Sequence, residues 1–447
     1  MQFLRRKTFA HGVHPPDNKE NTNTKSVRRM AFAPELIIPL SQHFGAPAVP
    51  TVYEGQEVVR GEPIAKANGF ISIPHHAPAT GTIDRIELMQ TARGPKTESI
   101  ILKVTPGASQ NVLYGSTREI ADMTPQEIIS AVQDSGIIGL GGAGFPTHVK
   151  LTVPKGHTVD TVLINGCECE PYLTTDHRVM LESVRDLIVG IRIILKSVGA
   201  ERAIIGIEEN KRDAIKAIRA RLSPDEAITV RELKTKYPQG AEKILIKTIL
   251  NREVPSGGYP SSAGVAVYNV STSSQLGALL PYNQGLIERI VTITGPGVKK
   301  PGNYLIALGT PLRFVMEQVG YTGSANHLIL GGPMMGTSVA SLDVPVTKTV
   351  SAVLVLTEQE EAEQIPEKVY PCIKCGACVR ACPIHLNPSQ LTLLASKRRY
   401  GDMQEKFHLN DCFECGCCSY VCPSGIPLVQ YFRIAKAVNR ENRERIA

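Results

Sequence analysis

Pro371-Cys372-Ile-Lys-Cys375-Gly-Ala-Cys378-Val-Arg-Ala-Cys382-Pro383 and Asp411-Cys412-Phe-Glu-Cys415-Gly-Cys-Cys418-Ser-Tyr-Val-Cys422-Pro423 write one pattern twice, Cys-x2-Cys-x2-Cys-x3-Cys-Pro. Two-residue gaps let a tight loop present three thiolates to three irons of a [4Fe–4S] cube, and the proline ends the turn behind the fourth. In paired runs of this kind the fourth cysteine serves the other cluster. Cys372, Cys375, Cys378 and Cys422 are therefore expected around one centre, and Cys412, Cys415, Cys418 and Cys382 around its neighbour. Structural zinc is the competing reading of Cys-x2-Cys pairs, but three ligands at two-residue gaps closed by Cys-Pro favour iron and sulfur. Cys417 reads as a packed thiol beside the ligands.

Nine of the eleven cysteines fall inside this module, at ligand spacings, so a disulfide framework is not expected and the compartment reads as reducing. A chain of 447 residues, 42% hydrophobic and 20% charged, has room for three or four folded units. The net charge of +7 falls to about +3 once two clusters of about −2 each are assembled, and 5% aromatics without Trp leave little for stacking on bases, so nucleic acid is disfavoured. No apolar run reaches the length of a membrane span, and the basic start Met1-Gln-Phe-Leu-Arg-Arg-Lys7 lacks the apolar stretch of a secretory signal; a cytoplasmic chain is expected.

Working outward, residues 1–34 read as an extended arm and 35–115 as a β domain of short runs broken by Gly and Pro: Ile37–Leu40, Glu57–Val59, Phe70–Ile73 and Gly81–Ile83. Gly55-Gln-Glu-Val-Val-Arg-Gly61 and Ala77-Pro-Ala-Thr-Gly81 resemble the biotinyl/lipoyl hammerhead, a barrel-sandwich fold. Its acceptor lysine is missing, since Lys66 is out of register with a tip near Gly69-Phe70. Residues 120–285 alternate helices (Arg185–Val198, Lys211–Leu222, Ala241–Arg252) with strands (Thr161–Ile164, Ala203–Ile207, Ile228–Leu233), which predicts an α/β unit with a largely parallel sheet. Residues 288–350 return to strands around a helix near Pro311–Val319, as a β-grasp (SLBB-like) unit would. An acidic linker, Glu358–Glu367, precedes the cysteine module at 365–430, in which Leu391–Lys406 reads as helical and suggests a helical ferredoxin module. A basic helix at 431–447, with Arg433, Lys436, Arg440, Arg443 and Arg445, reads as a solvated face or a docking surface. The fold class is multidomain α/β.

Gly139-Leu-Gly-Gly-Ala-Gly144 matches the G-x-G-x-x-G spacing, yet a helical pattern precedes it where a dinucleotide fingerprint needs a strand. Two readings stay open: a glycine cradle for a phosphate or flat ring, and a tight structural turn. His75-His76 reads as a loop feature, Cys167 and Cys169 as packing thiols, and Met334-Met335 as core.

Gly139–Thr147 with Lys150, Asn165-Gly-Cys-Glu-Cys-Glu-Pro171 and Tyr268-Asn-Val-Ser-Thr272 occur in the order seen in the flavin-and-NADH subunit of respiratory complex I, which this segment resembles. The resemblance implies that Gly139, Gly141, Gly142, Lys150, Asn165, Glu168, Asn269 and Thr272 contact FMN. It further implies that Phe145 stacks on the nicotinamide nucleotide and that Glu170 and Gly240-Ala-Glu242 line its approach. The sequence departs from that family at Leu140 (an arginine there), Cys167 (an acid) and Ala241 (the first of two glutamates). Over nearly its whole length, from Lys7-Thr-Phe, His14-Pro-Pro and Lys19-Glu to the two cysteine runs, the chain is similar to the RnfC family, the C subunits of the Rnf electron-transport complex. That implies a peripheral subunit on the cytoplasmic face of the bacterial inner membrane. It would oxidise NADH through FMN and pass single electrons through two [4Fe–4S] clusters to the other subunits of an ion-translocating NADH:ferredoxin oxidoreductase. A flavin is required between the two, because a nicotinamide gives electrons in pairs and a cluster takes one. The rivals are a cobalamin reductase of microcompartments and a flavin-free relay or docking subunit.

Overall fold

The computed structural model describes residues 8–92, 94–321, 327–339, 341–357 and 368–446. The stretch Glu358–Glu367, read as a linker, lies outside the described residues, as does Lys7.

A four-stranded, all-parallel sheet forms the centre, in the order Ile228–Leu233, Arg202–Glu208, Thr161–Gly166, Val265–Asn269. Its register sets Asn165 opposite both Gly206 and Asn269, so two candidate polar residues leave adjacent strands at the same carboxyl end. The helices are α1 (Pro125–Asp134), α2 (Thr147–Leu151), α3 (Thr175–Glu182), α4 (Val184–Val198), α5 (Arg212–Arg219), α6 (Glu242–Leu250) and α7 (Val270–Leu279). Thr124 and Glu127 start α1 with a reciprocal capping box. Gly199, at φ +68°, ends α4 in the left-handed conformation a glycine takes without cost. Helix α4 buries Leu187, Ile188, Ile191 and Ile194 at helical spacing. It meets α7 at backbone contact, for a Cβ on Gly190 would lie 1.7 Å from the Ser273 carbonyl oxygen.

The N-terminal β domain has one sheet of Glu35–Pro39, Lys96–Val104, Gly81–Gln90 and Glu57–Val58 and another of Val49–Pro50, Pro63–Lys66 and His75–His76. Phe70–Ile73, read as a strand, is instead an irregular loop with Phe70 and Ile71 in solvent, held by the Phe70 carbonyl against His148 Nε2 at 2.7 Å. The strand falls at His75–His76, both buried, so this pair is not a loop feature.

A six-stranded mixed sheet follows, in the order Arg28–Arg29, Gly302–Ala307, Glu288–Thr294, Ala352–Val355, Leu328–Leu330, Thr337–Ser338. Its first strand comes from the arm, which is thus part of the fold. In the cysteine module, Leu391–Lys406 is two helices, Pro388–Ser396 and Tyr400–Glu405, parted at Arg398, whose φ of +53° no helix accommodates. The last helix, Leu428–Ile446, turns Arg433 and Lys436 inward onto Glu414 at 3.1 and 2.8 Å, so these two do not belong to a solvated face.

Lys348 is fully buried, and its ammonium donates to the carbonyls of Gly136 (2.7 Å) and Pro74 (3.3 Å), pinning the β domain to the end of α1. Burial lowers its pKa to about 7 from the ordinary 10.5. Between those values the unfolded chain binds more protons than the folded one, so this group makes stability rise with pH from about 7 to 10.5, by at most about 1.4 kcal/mol per unit. Urea titrations of wild type and Lys348→Met at pH 7.5 and 9.5 should show wild type gaining stability relative to the variant at the higher pH; parallel behaviour would remove Lys348 as the cause.

Candidate functional site

The glycine-rich stretch closes on itself, Gly139 N–H donating to the Phe145 carbonyl (2.8 Å) and Thr147 N–H to that of Ile137 (3.2 Å). It leans on the start of α7, where Leu140 N–H donates to Thr272 Oγ1 at 2.9 Å. Asn269 caps that helix, its Oδ1 accepting from Ser271 and Thr272 N–H and its Nδ2 donating to Asp176 at 2.7 Å. A Cβ on Gly141 would sit 2.7 Å from Asn269 Nδ2, so glycine is what allows the loop this close. Gly141, Gly142 and Ala143 face solvent, and their amides have no partner among the described residues. Lys150, at the end of α2, pairs with Glu242 at the start of α6 (2.5 Å) beside the Tyr268 ring. Asn165 donates to the Gly240 carbonyl (2.7 Å) and accepts from Cys167 N–H (3.2 Å). Phe145 lies 5.7 Å, centroid to centroid, from Phe44. Beneath the loop the buried Arg289 guanidinium reaches the carbonyls of Leu140 and Lys348.

The segment after Asn165 is held by cations from both sides. Lys19 of the arm, 4% exposed, donates to the carbonyls of Glu168 and Glu170 at 2.9 Å each, and to that of Leu173. Lys211 donates to the Cys167 carbonyl (2.6 Å) and to Glu208 (3.2 Å). Glu168, left-handed at φ +44°, accepts from the Asp176 and His177 amides and so caps α3. Burial raises its pKa, opposed by Lys19. Burial pushes Glu170 up to about 7; it accepts from Met334 N–H at 3.1 Å and lies 3.3 Å from the Tyr237 hydroxyl. Met335, read as core, is 44% exposed. Cys167 is buried, and Cys169 Sγ accepts from Gly240 N–H at 3.4 Å, in keeping with packing thiols.

Tyr237, 2% exposed, joins this segment to the cysteine module: its hydroxyl donates to the Cys415 carbonyl at 2.7 Å. A Cβ on Gly416 would fall 2.7 Å from the Met334 carbonyl oxygen, a second close approach. The two cysteine loops repeat one backbone course. Lys374 and Glu414 are left-handed at φ +57° and +61°, Gly376 and Gly416 at +72° and +80°, and His385 and Gly425 at +58° and +65°. Cys382, Cys412, Cys415 and Cys418 line one apolar cavity with Ile384, Leu386, Val429 and Phe432, while Cys372 and Cys375 are exposed. Among the described residues no three His, Cys, Asp or Glu converge on a point fit for a single metal ion. Cys417 is buried and hydrogen-bonded to Cys415.

Family models match the chain at residues 7–106 (RnfC barrel sandwich hybrid domain), 132–278 (Nuo51 FMN-binding domain), 290–338 (SLBB domain) and 371–426 (4Fe-4S dicluster domain). The C subunit of the proton-translocating ferredoxin:NAD(+) oxidoreductase complex from Clostridium ljungdahlii is 39% identical, over 98% of this chain and 95% of its own. The C subunit of the Na(+)-translocating complex from Acetobacterium woodii is 40% identical, over 96% of each. The chain belongs to the RnfC family. It is a mixed α/β multidomain protein with barrel-sandwich, FMN-binding, SLBB and dicluster [4Fe–4S] domains. Among solved structures, a chain of the NAD+-reducing [NiFe]-hydrogenase in the air-oxidized state shares the fold at TM-score 0.53 and 18% identity. The likeness covers 68% of this chain and 61% of that one. Among the described residues no helix of this RnfC-family member is long and apolar enough to cross a membrane.

The residues fit both kinds of cofactor. Free amides at 141–143 suit a phosphate or a ring edge, and Asn165 and Asn269 each keep a second side-chain N–H after the bonds above. Eight thiols on two loops of matching course suit two cubes. Sequence reasoning missed Tyr237, Arg289 and the burial of Lys19, because no motif marks a residue whose partners lie dozens to hundreds of positions away. Lys19→Met would leave three enclosed carbonyls without a donor and should cost about 3 kcal/mol, read as a lower thermal midpoint together with loss of copurifying flavin; retention of both would show the arm to be dispensable.

Proposed function

We propose that this chain is the electron-input subunit of an ion-translocating NADH:ferredoxin oxidoreductase, oxidising NADH at the glycine-loop crevice and delivering single electrons through its cysteine module to partner subunits. The observation that carries the reading is the Tyr237 hydroxyl, which spans from Glu170 in the crevice to Cys415 in the module. When bound, FMN turns an electron pair into single electrons and the [4Fe–4S] clusters carry them. No side chain need act as acid or base.

In this reading Gly139, Gly141 and Gly142 let the backbone approach FMN, and Lys150 supplies positive charge. Asn165, Glu168, Asn269 and Thr272 border the ring, with Phe145, Glu170 and Glu242 on the nucleotide side. Arg289, under the Leu140 carbonyl, brings positive charge beneath a loop in which Leu140 replaces the usual arginine. Cys412, Cys415, Cys418 and Cys382 hold the inner cluster, supported by their shared cavity, and Cys372, Cys375, Cys378 and Cys422 the outer, with Cys372 and Cys375 toward solvent and the next carrier. The unit boundaries are 1–34, 35–115, 120–285, 288–350, 365–430 and 431–447, the second a hammerhead and the fourth a β-grasp. The subunit sits peripherally on the cytoplasmic face of the inner membrane, held by the membrane-anchored and ferredoxin-like subunits.

Anaerobic titration of the cofactor-loaded chain with NADH should bleach about one flavin and then about eight irons' worth of cluster absorption. Clusters without any flavin or NADH response would make it a relay, and reduction of cobalamin in place of ferredoxin would make it a cobalamin reductase. Tyr237→Phe should keep flavin content and NADH-driven flavin bleaching but slow cluster reduction several-fold in stopped flow; an unchanged rate would remove Tyr237 from the path.

A further inference from the structure

The barrel-sandwich domain has no acceptor lysine at its tip, and the reading above gives it no task. One of its segments nevertheless crosses the glycine-rich loop. Phe44 N–H donates to the Gly144 carbonyl at 3.1 Å, Gln42 Oε1 accepts from Lys348 N–H at 3.0 Å, and Ala46 N–H donates to the Ile71 carbonyl at 3.0 Å. Gly45 between them has φ +118°, and a Cβ there would fall 2.0 Å from the Ile71 carbonyl oxygen, so only glycine passes. This strap is fixed on either side of Phe44, yet it holds the Phe44 ring 61% exposed, 5.7 Å from Phe145 at a 32° tilt.

A lone exposed phenylalanine needs no explanation. Phe145 follows the free amides of Gly141, Gly142 and Ala143 within five residues of chain, and Phe44, bonded through its backbone to Gly144, adds a second ring, so donors for phosphate and a flat apolar face belong to one segment. That combination matches a nucleotide. We propose that Phe44, contributed by the barrel-sandwich domain, is a specificity residue that stacks the adenine base of the nicotinamide nucleotide together with Phe145. The proposal rests on the NADH-oxidising reading of the same crevice. A centroid separation of 5.7 Å is short of the ~7 Å that two stacking gaps require, so the base lies on the solvent side of the pair and not between the rings.

The test uses the full cofactor-loaded chain and calorimetry with ADP-ribose, which has the adenine, and with nicotinamide mononucleotide, which lacks it. Phe44→Ala should weaken ADP-ribose and NADH binding about 10-fold while leaving the mononucleotide, the flavin content and the dithionite-reduced spectrum unchanged, and Phe44→Trp should restore binding. Equal ADP-ribose affinity in wild type and Phe44→Ala overturns the proposal, as does a loss shared equally by the mononucleotide, which would mark a displaced loop. A wild type that binds no ADP-ribose also overturns it, but the functional reading survives if NADH still bleaches the flavin. If NADH leaves the flavin untouched while Phe44 still governs ADP-ribose affinity, the stacking stands as a base-binding site and the NADH-oxidising reading falls.

Discussion

The Lys19 ammonium, brought in by the arm and enclosed among the carbonyls of Glu168, Glu170 and Leu173, is the contact on which the rest of the site depends. The segment 167–173 is neither helix nor strand, and two of its non-glycine residues, Glu168 and Tyr172, have positive φ. Backbone carbonyls enclosed in such a segment have no ladder to satisfy them and must find donors elsewhere. Lys19 on one side and Lys211 on the other provide those donors, and Glu208 and Glu168 oppose the cost of burying the two ammonium groups. The result is a rigid platform that fixes Glu170 toward Tyr237.

The arm is consequently structural cement for three units at once. Val13 exchanges backbone hydrogen bonds with Tyr237, Gly12 N–H donates to Ala381 in the cysteine module, and Thr22 accepts from Asn303 of the six-stranded sheet. Tyr237 thus receives the arm through its backbone and the module through its hydroxyl. With Gly416 and Met334 also in close approach, one cysteine loop is seated against the crevice, while the loop of Cys372 and Cys375 is left outside. The asymmetry lies in the Cys415 loop, whose backbone carbonyl meets the Tyr237 hydroxyl, while Cys372 and Cys375 are exposed.

The glycine-rich loop is likewise shaped by units other than its own. The start of α7 supports it from one side, Arg289 from the SLBB-side sheet holds the Leu140 carbonyl from beneath, and the strap at 42–46 covers its far end. A buried cation under a loop whose exposed amides point outward adds to the field those amides present to an anion. This division of labour accounts for a chain in which no unit builds the crevice alone.

The sequence by itself determined the chemistry that is written in short spacings. The two cysteine runs, the glycine-rich loop, the helices at 3.6-residue period and the parallel strands were all legible, because each is a local pattern enforced within a few residues. The expectation that Cys382 serves the second run came from the paired motif, and Cys382 does line one cavity with Cys412, Cys415 and Cys418. Tertiary structure alone decided which residues complete the site. Tyr237, Arg289 and Phe44 carry no motif, and Lys19 is an ordinary lysine until a fold about 150 residues away surrounds it with carbonyls. Arg398, left-handed, divides the helical stretch into two helices, and Glu414 drew Arg433 and Lys436 off a face that reads as solvated. Hydrophobic period reports which face of an element is buried, whereas hydrogen bonds between distant segments, which set these positions, leave no period to read.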